Sequence, residues 1–234
     1  MSAVPIVALD VPDAAAALAL VQRLGERCRF YKIGSELFTA AGPAVVALVR
    51  ERGCEVFLDL KFHDIPNTVR AAVRSAAALG ASLVTVHAAG GRAMLEAAVD
   101  GAGGRCRVLG VTVLTSMDAG ALAAAWGRPR VEVRVEVLRL AGEVAASSAF
   151  GIVCSGEEIE VVRARYGRAL RLLVPGIRLA GDAAHDQRRV MTPAEAARAG
   201  ADYLVIGRTV TAAADPAQAM ERVLAELAGV PPGR

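Results

Sequence analysis

The run Asp59-Leu60-Lys61-Phe62-His63-Asp64-Ile65-Pro66-Asn67-Thr68 is the densest group of polar and titratable residues in a chain of 234. Asp59 and Lys61 stand two apart, so on a strand both side chains leave the same face and a carboxylate lies against an ammonium. An isolated pair of this kind reads more readily as a structural ion pair. Two further residues change the reading. Asp10 and Lys32 end the first two apolar runs of the chain, so four charges of alternating sign come to adjacent strand ends. A lysine between carboxylates has its charged form favoured, which suits a general acid. A Schiff-base lysine needs desolvation or a cationic neighbour instead. Of the 27 Lys and Arg residues only Lys32 and Lys61 are lysines, as expected where a compact, titratable ammonium does what a guanidinium cannot. Asp64 admits two readings on local geometry: a cap for the helix that Pro66 opens, or a functional group of undefined role.

A second group reads as a phosphate grip. Gly176-Ile177-Arg178 follows the seventh predicted strand, and Gly207-Arg208-Thr209 follows the eighth and opens a helix. Glycine lets the backbone approach an anion, and Arg208 adds a bidentate clamp. Thr115 and Ser116 follow the fifth strand and offer hydroxyls to a polar ring or to a cap. Other features carry less. Gly101-Ala102-Gly103-Gly104 follows a helix rather than a strand, so it reads as a turn and not as a dinucleotide loop. His87 ends the fourth strand and fits a core histidine as well as a site residue. His63 and His185 lack metal-ligand spacing, and a magnesium site would need carboxylates freed from Lys61, so no metal is expected.

The elements that must position these residues alternate. Short runs rich in Val, Ile and Leu recur between Ala-rich stretches of helical period, which is the pattern of parallel strands covered by helices. The predicted strands are Val4 to Leu9, Phe30 to Ile33, Glu55 to Leu60, Ser82 to Val86, Arg107 to Leu114, Gly151 to Cys154, Leu170 to Val174 and Tyr203 to Ile206. Eight such units predict a (β/α)8 TIM barrel, a single domain over residues 1–234, with its site at the C-terminal ends of the strands. Helix starts are expected where Ser155 with Glu158, Thr192 with Glu195 and Asp215 with Gln218 have capping-box spacing. The polar stretch from Pro175 to Arg189 is too long for an ordinary turn, and 231–234 reads as a frayed tail.

Composition excludes several classes. With 54% apolar, 4% aromatic and 22% charged residues the chain has the material for a buried core and is neither disordered nor fibrous. A net charge of +3, with the basic residues scattered, gives no footprint for nucleic acid. Cys28, Cys54, Cys106 and Cys154 form no CxxC and read as buried hydrophobes of a reducing compartment. No window of about 18 apolar residues spans a bilayer, and the N-terminus lacks a basic leader region. A soluble cytoplasmic protein is expected.

These motifs together resemble the orotidine 5'-monophosphate decarboxylase family of the bacterial type. The likeness runs nearly end to end, through Val7 to Asp10, Tyr31 to Gly34, Asp59 to Thr68, Val84 to Ala88, Val113 to Met117, Val174 to Arg178, Asp186 to Val190 and Ile206 to Arg208. The D-x-K-x-x-D core is shared with a wider superfamily; followed by Ile65-Pro66-Asn67-Thr68 it is specific. The resemblance implies a cofactor-free decarboxylation of orotidine 5'-monophosphate (OMP) to UMP, the last step of de novo pyrimidine biosynthesis. In it Lys61 protonates C6, Asp59 lies beside the departing carboxylate, and Lys32 holds the array. It further implies that Asp10 binds ribose, Thr115 and Ser116 contact the base, Gln187 closes over base and phosphate, and Arg178, Gly207 and Arg208 hold the phosphate. Asp64, Ile65 and Thr68 are expected to reach the site of a second subunit, which makes the enzyme an obligate homodimer. Phe150-Gly151 and His185 depart from the usual pattern. The competing readings are a sibling that uses Mg²⁺ on the same scaffold, such as a hexulose phosphate synthase or sugar-acid phosphate decarboxylase, and a non-catalytic nucleotide-binding barrel. EDTA sensitivity would mark the first, and ligand affinity without turnover the second.

Overall fold

The computed structural model describes residues 3–180 and 191–230. Eight strands follow in chain order: β1 Val4–Ala8, β2 Phe30–Gly34, β3 Glu55–Phe62, β4 Leu83–His87, β5 Arg107–Val111, β6 Gly151–Val153, β7 Arg171–Ile177 and β8 Tyr203–Ile206. Each pairs in parallel with the next, and β8 pairs with β1, so the sheet closes. Helices lie between successive strands, which makes the fold a (β/α)8 barrel.

Two apolar layers hold it together. Ile6, Ala8, Phe30, Phe57, Leu83, Leu109, Leu173 and Val205 form one buried cluster that fills the barrel. The alternate residues, Val7, Tyr31, Ile33, Val56 and Leu58 among them, belong to a second cluster that joins the strands to the surrounding helices. This inside-outside alternation is the period of two that a strand imposes. Because both faces are covered by apolar groups, the strands read as continuous hydrophobic runs.

The strand ends correct the sequence reading in ways that matter for the site. β5 stops at Val111, not Leu114, because its neighbour β6 is only three residues long and the pairing ends at Val111 with Val153. Val113, Leu114 and Thr115 are thereby released into the loop at the mouth. β7 runs on to Ile177 through an irregularity between Val174 and Ile177, so Gly176 and Ile177 lie within the strand and not after it. Gly176 has φ of 79°, a left-handed conformation that a residue with a Cβ resists. β3 runs on to Phe62, again through a register shift.

The helix starts follow local chemistry. Thr192 with Glu195 and Ser155 with Glu158 form reciprocal capping boxes, and Asp215 accepts the N–H groups of Ala217 and Gln218. Asp64 caps no helix: the cap of Pro66–Ala78 is Ile65, with no side-chain bond, and the Asp64 carboxylate accepts the Ile65 N–H at 2.7 Å. The turn read at Gly101 to Gly104 is confined to Gly103 and Gly104, since Gly101 and Ala102 close the helix Arg92–Ala102, which ends on left-handed Gly103. Among the described residues no helix is long and apolar enough to cross a membrane.

Candidate active site

Counting two residues beyond the apolar filling of the barrel gives its upper layer: Ala8 leads to Asp10, Phe30 to Lys32, Phe57 to Asp59 and Leu83 to Thr85. The core thus gives way to charge within one step. A cavity of about 430 Å³ opens there, and Asp10, Lys32, Asp59 and Lys61 line it on one side. Phe57, Val111, Val153, Leu173 and Val205 supply an apolar floor, and Arg178, Gly207 and Arg208, which follow β7 and β8, complete the lining.

The four charges are in contact. Lys32 Nζ donates to Asp10 Oδ1 at 2.8 Å and lies 3.9 Å from Asp59 Oδ2, while Lys61 Nζ donates to the same Asp59 oxygen at 2.9 Å. Lys32 thus has carboxylates on both sides, and Asp59 has ammonium groups on both. These two inner members are the most buried, with side chains 11% and 13% exposed. Desolvation costs several kcal/mol per ion in such a place, and only several well-placed partners offset it. Lys61 ends the row with one carboxylate partner and a side chain 37% exposed, so its ammonium remains reachable from the cavity.

Lys61 owes its position to an unusual backbone. The pairing of β3 with β4 jumps from Leu58 opposite Val84 to Phe62 opposite Val86. Asp59, Leu60 and Lys61 therefore face one residue of β4, Thr85, and the surplus is taken up as a bulge in which Lys61 has φ of 50°. A left-handed non-glycine residue is uncommon and gathers at functional sites.

Gly34 matters for space and not for conformation. Its φ of −93° and ψ of −177° suit any residue. A Cβ there would stand 2.9 Å from Lys32 Nζ and 3.3 Å from Asp10 Oδ1. Gly34→Ala is therefore expected to push the Lys32 ammonium off Asp10 and to lower kcat/KM roughly tenfold with Tm within about 3 °C. Unchanged kinetics in this variant would show that the Lys32 position tolerates displacement.

The other candidates divide. Thr115 lines the cavity, whereas Ser116 is exposed and does not. Asp64, Ile65 and Thr68 are exposed and outside the cavity of their own chain, Ile65 at 67%. Gln187 and His185 lie outside the described residues. Arg178 is buried, with one N–H on the Ile177 carbonyl at 2.9 Å, and Arg208 stands exposed at the first position of the short helix Arg208–Thr211. His87 does not line the cavity; its ring packs against His63 at 5.3 Å between centroids. Burial foremost, then the neighbouring His63 and Lys61, hold the His87 imidazole below its ordinary range.

Sequence reasoning passed over Thr85 and Gly34. The period-two count from Leu83 points to Thr85, but the bulge that makes it matter leaves no mark in the sequence. Gly34 is legible only once Lys32 and Asp10 are seen to meet beside it.

Residues 4–223 match the model of the Orotidine 5'-phosphate decarboxylase / HUMPS family. The orotidine 5'-phosphate decarboxylase of Halorhodospira halophila is 52% identical over 228 residues, with 95% of each chain covered. That of an Anaeromyxobacter species (strain K) is 53% identical over 222 residues, covering 94% of this chain and 96% of the relative. Among solved structures, orotidine 5'-phosphate decarboxylase from Lactobacillus acidophilus superposes with a TM-score of 0.86 at 35% identity, covering 97% and 99% of the two chains. The enzyme from Pyrococcus horikoshii does so with 0.79 at 26% identity, covering 97% and 100%.

Proposed function

The chain belongs to the orotidine 5'-phosphate decarboxylase / HUMPS family, and from that premise we propose that it converts OMP to UMP and CO2 in pyrimidine biosynthesis, with Lys61 as the proton donor. The observation that carries the assignment of roles is the unbroken Asp10, Lys32, Asp59, Lys61 row lining a nucleotide-sized cavity that two arginines, Arg178 and Arg208, also line.

The chemistry follows from where charge develops. The bond from C6 to the carboxylate breaks, CO2 departs, and the electron pair stays on C6, where the ring offers little delocalisation. A fixed cation beside C6 stabilises that pair at no cost of reorganisation, and Lys61 is the ammonium with an open side toward the cavity. Its proton passes to C6 to form UMP, and the neutral amine recovers a proton from solvent. Asp59 stands beside the leaving carboxylate and holds the Lys61 ammonium at 2.9 Å. Lys32, between Asp59 and Asp10, keeps that row in place, and Asp10, at its exposed end, binds the ribose. Thr115 is assigned to the base, with Ser116 following it in the loop.

Arg178, Gly207 and Arg208 hold the phosphate at the far side of the cavity, remote from C6. Remote binding energy of this kind orients the reacting carbon over Lys61. Arg208→Ala is expected to raise KM for OMP by roughly 30-fold or more, with a smaller effect on kcat. A KM that stays within about threefold would take Arg208 out of the phosphate site.

The site is completed by a second copy. Asp64, Ile65 and Thr68 have no role in the cavity of their own chain, and a two-fold homodimer carries them to the partner's cavity. Four free, buried cysteines suit a cytoplasmic enzyme. The test of the reaction is the ultraviolet absorbance of OMP mixed with EDTA-treated protein. Rapid loss of the orotate chromophore supports the assignment, and an unchanged spectrum with folded protein rejects it.

A further inference from the structure

Thr85 is fully buried on β4, does not line the cavity, and makes two bonds with one hydroxyl. Its Oγ1 donates to Asp59 Oδ1 at 2.9 Å and accepts the backbone N–H of Lys61 at 2.9 Å. The second bond is a substitute for sheet pairing. Because β3 carries more residues than β4 across the bulge, the Lys61 N–H is satisfied by the Thr85 side chain instead of the β4 backbone. The same hydroxyl therefore meets the backbone of the left-handed residue and the carboxylate that faces its ammonium. Asp59 is bounded on one oxygen by Lys61 and Lys32 and on the other by Thr85.

We infer that Thr85 is a positioning residue of the reaction: its hydroxyl ties the Lys61 backbone and the Asp59 carboxylate to one point of β4 and so sets the aim of the Lys61 ammonium. The inference rests on the role proposed for Lys61. Thr85 touches no substrate; it acts through the two groups it binds. Without the hydroxyl the Lys61 backbone loses what compensates its strained conformation, and one Asp59 oxygen loses its donor. The ammonium then samples directions away from C6. Phosphate and ribose contacts, made elsewhere in the cavity, are unaffected, so the loss falls on kcat and not on KM.

The test compares Thr85→Val, which keeps the branched shape and removes donor and acceptor, with Thr85→Ser, which keeps both and removes a methyl group. Thr85→Val is expected to lower kcat roughly 30-fold or more with KM for OMP within about threefold, and Thr85→Ser to recover kcat to within about fivefold of the parent. Should the valine variant fail to fold, Thr85→Ala against Thr85→Ser makes the same comparison. A hydroxyl-free variant with parental kcat overturns the inference, as does a serine variant that loses as much kcat as valine or alanine. A parent enzyme without turnover of OMP would overturn the reaction itself, and is distinguished from those outcomes by assaying the parent beside the variants.

Discussion

Replacing Lys61 by alanine is expected to lower kcat by a factor of at least about 10⁴ while UMP still binds within roughly tenfold of the parent affinity. Two losses combine. A general acid contributes on the order of 10² to 10⁴, and a fixed charge aimed at the developing anion adds a term of the same order. Both reside in one ammonium, that of the more exposed of the two lysines of the row. Binding is expected to be largely spared because the proposed phosphate contacts, Arg178, Gly207 and Arg208, follow β7 and β8, whereas Lys61 stands on β3. Single-turnover decay of OMP absorbance and calorimetric titration with UMP measure the two quantities separately. A variant whose kcat stays within tenfold of the parent would remove Lys61 from the proton transfer.

Mixing two inactive variants should restore activity. On the proposed shared site, Asp64→Ala disables the group each chain lends to its partner, and Lys61→Ala disables the group each chain keeps. After random exchange about half the dimers are mixed, and in each of them one site draws both its damaged groups from the two chains while the other draws neither. The expected recovery is about a quarter of parental activity. The exposure of Asp64, Ile65 and Thr68 in their own chain motivates this experiment. No recovery, with exchange verified by mass spectrometry, would place Asp64 in the site of its own chain or outside the chemistry.

Much of this was readable before any coordinate. The alternation of apolar runs and Ala-rich stretches yields the barrel because the periods of strand and helix differ. Once the barrel is accepted, Asp10, Lys32, Asp59 and Lys61 fall at its mouth. Strand ends were harder. Val113 and Leu114 are as apolar as any strand, yet the pairing goes no further than the bond from the Thr112 N–H to the Val153 carbonyl, because β6 has run out beside them. That limit is set by a neighbour some forty residues away.

Residue types and their period of two settle which groups exist and which face of the barrel they occupy, since an apolar filling leaves an inward position only one direction in which to become polar. The tertiary structure alone decided how those groups meet. The bulge at Lys61, the two hydrogen bonds of Thr85, one from the Lys61 N–H and one to Asp59, and the room that Gly34 leaves for Lys32 arise from register between strands distant in sequence. Register is a property of two strands together, and no single strand's residues contain it.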